Sequence, residues 1–160
     1  MSASLPSHAQ TVIVGGGIVG CSVAYHLTKL GRKNVVLLEQ GELTGGTTWH
    51  AAGLVTQLRN SHTLIEIAKY GVDLYSQLES ETGQSIGFDQ TGSITVARTE
   101  GRMDELKKIT SLARASGVEI EPISVYEAGE MWPLMQTTDL IGAIHIPKDG
   151  QTLPGETAEA

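Results

Sequence analysis

The feature that most constrains this chain is Thr11-Val12-Ile13-Val14 running directly into Gly15-Gly16-Gly17-Ile18-Val19-Gly20. Four β-branched residues in a row read as a buried parallel strand, and the glycines after them as a tight turn. From Ile18 to Leu30 the apolar residues Ile18, Val19, Val23, Ala24, Leu27 and Leu30 fall at helical spacing, and Gly31 supplies a stop. Asn34 to Glu39, built around Val-Val-Leu-Leu, predicts a second strand. Strand, G-x-G-x-x-G turn, helix and strand in this order form the β-α-β unit that binds dinucleotides. Its first glycine makes the turn, the second lets a diphosphate approach the backbone, and the third lets helix and strand pack closely. Gly15, Gly17, Ile18, Val19 and Gly20 are therefore the expected phosphate-side residues, where unpaired amides and the helix dipole offset the ligand's charge.

Glu39 stands nineteen residues beyond Gly20, at the end of the second strand. A carboxylate placed there can accept from both ribose hydroxyls, and Gln40 adjoins it. The same acid disfavours NADP, because a 2′-phosphate would set two negative groups side by side in a partly dry site. The glycine fingerprint does not separate FAD from NAD.

With 160 residues, 40% of them hydrophobic, the chain fits one soluble α/β domain. A net charge of −7 leaves no basic footprint for a phosphate backbone, so nucleic-acid binding is not expected. Cys21 is the single cysteine, which excludes an internal disulfide framework and points to a reducing compartment, with the cytoplasm as the expected location. No Lys or Arg stands in the first ten residues, and Lys29, Arg32 and Lys33 end the first apolar run well short of bilayer length. Neither a secretory signal nor a membrane span is expected. His8, His26, His62 and His145 have no Asp, Glu or Cys at ligand spacing, so no metal site is expected either.

Further along, Leu64, Ile65, Ala68, Val72, Leu74, Tyr75 and Leu78 predict an amphipathic helix from about Ser61 to Glu81, closed by Gly83. Ser85 to Asp89 and Ser93 to Ala97 read as a hairpin around Gln90-Thr91-Gly92. Arg102 to Ser116 predicts a helix, Val118 to Pro122 a brief strand, Val125 to Met131 a helical turn stopped by Pro133, and Leu140 to Ile146 a strand before Pro147-Lys148-Asp149-Gly150. Two parts result: residues 10–84 as the dinucleotide-binding unit with its loop and following helix, and residues 85–160 as the start of a second region. Only two strands have the near-continuous apolar character of a parallel sheet, which needs more strands and cover on both faces. The expectation is therefore a fragment of a longer enzyme.

Gly41 to Gly53 holds four glycines and is too irregular for helix or strand. It follows the second strand, so it should emerge at the carboxyl edge of the sheet, where the ligand lies. Its run Gly45-Gly46-Thr47-Thr48-Trp49-His50-Ala51-Ala52-Gly53-Leu54, with Val-Ile-Val-Gly-Gly-Gly-Ile-Val-Gly and Val-Val-Leu-Leu-Glu, resembles the amine-oxidising flavoproteins of the dimethylglycine and sarcosine dehydrogenase group, which are D-amino-acid oxidase-like. Gln90-Thr91-Gly92-Ser93-Ile94, Trp132-Pro133-Leu134 and Pro147-x-Asp149-Gly150 extend the likeness over nearly the whole chain.

The resemblance implies an α/β, Rossmann-like FAD-binding domain of the glutathione-reductase type, followed by the start of a substrate-side α+β region. It implies that Gly46, Thr47, Thr48, Trp49, His50, Ala51, Ala52, Gly53 and Leu54 wrap the flavin, and that His50 matches the residue joined covalently to the flavin's 8α carbon. The whole enzyme would oxidise an N-methyl amino acid by hydride transfer to the flavin. The iminium so formed would hydrolyse to formaldehyde and the demethylated amine, or be captured by a folate, and the flavin would be reoxidised by oxygen or an electron-transfer protein. Trp49 is a candidate shield for the flavin edge, Arg59 a candidate partner for a substrate carboxylate, and Cys21 a core residue. Two other readings are an amino-acid oxidase with noncovalent FAD and a regulatory relative without catalysis. The Thr-Trp-His loop argues against a plain NAD module.

Overall fold

The structure, a computed structural model, describes residues 6–160. Strand β1 (Thr11–Val14) and strand β2 (Val35–Leu38) pair in parallel, with Thr11 opposite Val35 and Val14 opposite Leu38. A parallel pair needs a crossover, and helix α1 (Ile18–Lys29) provides it. Gly31, at φ +81°, carries the chain out of the helix, and Asn34, at φ +52°, turns it into β2. That turn explains why the strand starts one residue later than the apolar run suggests.

A 3-10 turn (Thr48–His50) lies in the loop after β2 and leads to the two-residue strand β3 (Leu54–Val55). Helix α2 (His62–Thr82) opens on Ser61, whose Oγ accepts from the Leu64 amide, and closes on Gly83 at φ +78°. Strand β4 (Ser93–Ala97), helix α3 (Glu100–Ala115), strand β5 (Glu121–Ile123), helix α4 (Val125–Met131) and strand β6 (Gly142–Ile146) follow. Strand β7 (Gly150–Gln151) and helix α5 (Pro154–Glu159) end the chain. No helix among the described residues is long and apolar enough to cross a membrane.

The core lies away from the glycine turn. Strands β4, β6 and β5, in that spatial order, form an antiparallel sheet. Ala97, Ile144 and Ile146 from its strands pack with Ile65 of α2, Leu106 and Ala113 of α3, and the connecting Val118 and Ile120. Helix α1, by contrast, buries no residue completely.

The expected hairpin does not form. β4 pairs with β6, Ser93 opposite Ile146, while the only ladder contact of the preceding run is the bridge between Asp89 and Gln151. Gly87, at φ +60°, interrupts that run, and the Ile86 carbonyl is claimed instead by the Leu153 amide (3.0 Å) and Thr152 Oγ1 (2.8 Å). The strand expected at Val118 begins at Glu121, because the Val118 amide still donates to Ala113 O as part of the close of α3. The chain from Gly150 on, of which the last ten residues had no predicted structure, returns to the opening unit: β7 pairs antiparallel with β3, and α5 packs on α1 and on the 3-10 turn.

Candidate dinucleotide site

The glycine turn opens onto a cleft of about 810 Å³. Gly15 takes φ +104°, a conformation that favours glycine, and donates its amide to Leu38 O at 2.8 Å, fixing the turn to the end of β2. Gly20 is needed for space, since a Cβ there would collide with Gly15 O. Helix α1 can thus start directly against β1. Cys21 N donates to Gly17 O, so the amides of Ile18, Val19 and Gly20 precede the first helical bond. Ile18's amide is taken by Thr48 Oγ1 at 3.0 Å; those of Val19 and Gly20 have no partner within the helix. No Lys, Arg or His among the described residues lines this cleft, so an anion would be met by backbone amides and the helix dipole.

Glu39 is bound into the turn itself. Its Oε2 accepts from the Gly16 amide at 2.7 Å and its Oε1 from the Gly41 amide at 2.9 Å. These amides, Gly16's first, hold its carboxyl below the usual carboxylate range. Each oxygen retains a lone pair for a further donor, which suits a carboxylate that receives ribose hydroxyls. The fit to a dinucleotide therefore rests on three features of this cleft: free helix amides, a turn too tight for side chains, and a fixed, ionised acid.

Of the residues expected at the site, Gly15, Gly17, Ile18, Val19, Gly20, Glu39, Gln40, Gly46, Thr47, Thr48 and Ala51 line this one cleft. Gly53 and Leu54 line a smaller adjoining cavity of about 160 Å³, shared with Ile18, Thr48 and Ala51. Trp49, His50 and Ala52 are exposed and lie outside both cavities. The Trp49 and His50 rings lie with centroids 4.1 Å apart, tilted by 37° to each other. His50 Nδ1 is 3.1 Å from Gly46 O; a carbonyl only accepts, so Nδ1 donates and the neutral ring keeps its lone pair on Nε2. Arg59 is occupied locally, donating to Thr56 Oγ1 and Leu58 O. Cys21 is only partly buried, and its thiol donates to Gly16 O at 3.6 Å. Burial, and after it the charge of Glu159, push that thiol up.

Sequence reasoning missed the supports of the site. Thr44 is buried at φ +62° and donates its amide to Gly16 O at 2.9 Å, folding the loop under the turn. Asp149 is fully buried and accepts from the Gln57 amide at 2.8 Å. Only the Pro147-x-Asp149-Gly150 resemblance pointed to it.

Residues 10–160 match the family described as DAO, FAD dependent oxidoreductase. The chain is 46% identical over 156 residues to 4-methylaminobutanoate oxidase (formaldehyde-forming) of Paenarthrobacter nicotinovorans, covering 98% of this chain and 19% of that protein. It is 44% identical over 159 residues to the mitochondrial pyruvate dehydrogenase phosphatase regulatory subunit of Mus musculus, covering 99% and 18%. To the mitochondrial sarcosine dehydrogenase of Homo sapiens it is 44% identical over 157 residues, covering 98% and 17%. The chain thus spans less than a fifth of the length of these relatives. Among solved structures, L-proline dehydrogenase from P. horikoshii superposes with a TM-score of 0.90 at 29% identity, covering 97% of this chain and 41% of that one.

Proposed function

Because this chain belongs to the DAO family of FAD dependent oxidoreductases, we propose that its cleft holds the adenine dinucleotide of FAD in an enzyme that oxidises N-methyl amino acids. The observation that carries this reading is the pairing of Glu39 with the Gly16 amide, which sets a ribose acceptor beside the open amides of Val19 and Gly20. Bound there, FAD supplies the acceptor for a hydride leaving the substrate's N-methyl carbon. This chain's residues bind and orient: the α1 amides meet the diphosphate, Glu39 the ribose, and the loop from Gly46 to Leu54 the flavin. His50 is proposed as the site of a covalent link, its Nε2 lone pair being the free one. The relatives named for sarcosine and 4-methylaminobutanoate support an N-methyl amino acid as substrate. A folate, and oxygen or an electron-transfer protein as oxidant, complete the proposal for the whole protein. A single cysteine suits a reducing compartment, and the cytoplasm is kept as the proposed one.

Calorimetric titration of the 160-residue chain tests the site. ADP and FAD should bind saturably, FAD too weakly to stay yellow with this chain through purification, and NADP not, and Glu39→Ala should weaken ADP by roughly ten-fold, the loss of charge-assisted hydrogen bonds. Glu39's carboxyl is held below the usual carboxylate range by the Gly16 and Gly41 amides, so its contribution should be complete at neutral pH and disappear only as the pH falls through that lowered value. A difference in ADP affinity between wild type and Glu39→Ala that vanishes already near neutral pH, or binding of NADP equal to that of ADP, would contradict the assignment.

The likeness to a phosphatase regulatory subunit favours one second reading, a flavin-binding protein without turnover. Anaerobic mixing of the full-length protein with sarcosine or dimethylglycine separates the two: bleaching of the flavin band supports the oxidoreductase, and an unchanged spectrum the regulatory role.

A further inference from the structure

We propose that Asp149 is a positioning residue for the flavin loop, an inference that rests on the FAD reading of the cleft. Its side chain is fully buried, and no ion pair reaches it among the described residues. A buried carboxylate without a cation is expensive unless hydrogen bonds converge on it, and here three do. Oδ1 accepts from the Gln57 amide at 2.8 Å and from Gln57 Nε2 at 3.2 Å, and Oδ2 accepts from Ser93 Oγ at 2.6 Å.

These bonds join the chain just after the flavin loop to the segment that leads into β7. Residues 53–57 form a short rail along residues 149–152. At one end Thr152 N donates to Gly53 O at 2.8 Å, in the middle β3 pairs with β7 through two residues, and at the other end Asp149 holds Gln57. Ser93 begins β4, so Oδ2 fastens the rail to the strand that enters the core. The flavin loop leaves from the Gly53 end of that rail. Its inner holds are the Thr48 bond to the start of α1 at 3.0 Å, the Thr44 amide on Gly16 O at 2.9 Å, and the packing of α5 on the 3-10 turn. Two of the loop's supports, the β3–β7 ladder and α5, belong to the segment that Asp149 opens, so release of Gln57 loosens one end of the rail and with it the seating of the loop from Gly46 to Ala52.

The diphosphate and ribose contacts do not depend on this rail, because they lie on the glycine turn, α1 and Glu39. A role in positioning therefore predicts a split between two ligands that a merely structural role would not produce. In the 160-residue chain, Asp149→Ala should weaken FAD by about ten-fold while ADP stays within about two-fold, and exchange at the amides of residues 54–57 should accelerate. Asp149→Asn should recover most of the FAD affinity, since its amide oxygen can accept from Gln57 and its NH2 can donate to Ser93 Oγ. Gln57→Ala, which removes one bond and keeps the backbone one, should show the same selective loss at about three-fold, and it decides the matter if Asp149→Ala does not fold. Equal losses of ADP and FAD, or an unchanged FAD to ADP ratio in Gln57→Ala, overturn the proposal. A wild-type chain that binds neither nucleotide overturns the FAD reading itself, which the Glu39→Ala and NADP titrations identify separately.

Discussion

At the scale of single residues, the site divides between side chains that announce themselves locally and side chains that act across the fold. Gly15, Gly20 and Glu39 belong to the first kind: a positive φ, a backbone contact too close for a Cβ, and an acid at the end of a strand each leave a mark within a few positions. His50 is intermediate. The loop motif singled it out, but only the structure shows Nδ1 committed to Gly46 O, which leaves Nε2 for bonding. If His50 carries the covalent link, acid precipitation of the full-length protein should leave flavin in the pellet, and His50→Ala should release all of it to the supernatant. Retention by the alanine variant would place the attachment elsewhere. The loop motif also named Thr48, but its bond to Ile18, like that of Asp149 to Gln57, was less legible, because the partners lie 30 and 92 residues away.

At the scale of elements, the helices and the parallel β1–β2 pair were legible, and the antiparallel pairing was not. A helix buries its apolar face with a period visible inside its own segment, so α1, α2 and α3 fall where their spacing predicts. Outside the β-α-β pattern, which marks β2 as the partner of β1, a strand's partner carries no such local mark. The expected hairpin joined adjacent runs, whereas β4 lies against β6, with Ala97 opposite Gly142 and Ser93 opposite Ile146. The short strand β3 and the helix α5 were not foreseen, since two or six residues carry too little periodicity to read. The weight of the core on β4, β6, α2 and α3 has a measurable result. Leu106 is fully buried in that cluster, so Leu106→Ala should destabilise the chain by about 2–5 kcal/mol through lost burial and a residual cavity. Val23→Ala on α1, where the side chain is 42% exposed, should fall well below that range in the same urea titration.

At the scale of the molecule, the opening unit is the less covered part. Val12, Val14, Val19 and Leu30 are 53%, 84%, 75% and 81% exposed, around a parallel sheet of only two strands. Parallel sheets ordinarily carry cover on both faces, and an uncovered strand edge invites pairing with other chains. The isolated 160-residue chain should therefore show concentration-dependent self-association in sedimentation velocity, reduced by Val14→Lys; a strictly monomeric chain at high concentration would refute this. The rail between residues 53–57 and 149–152 also sets an order of events during synthesis. The diphosphate cradle can assemble once β2 has left the ribosome, but the loop's exit strand has no partner until β7 emerges, with Gln57 and Asp149 92 residues apart. A nascent chain halted between them would grasp an adenine nucleotide and still have no fixed seat for the isoalloxazine ring, so flavin capture has to wait until β7 has emerged.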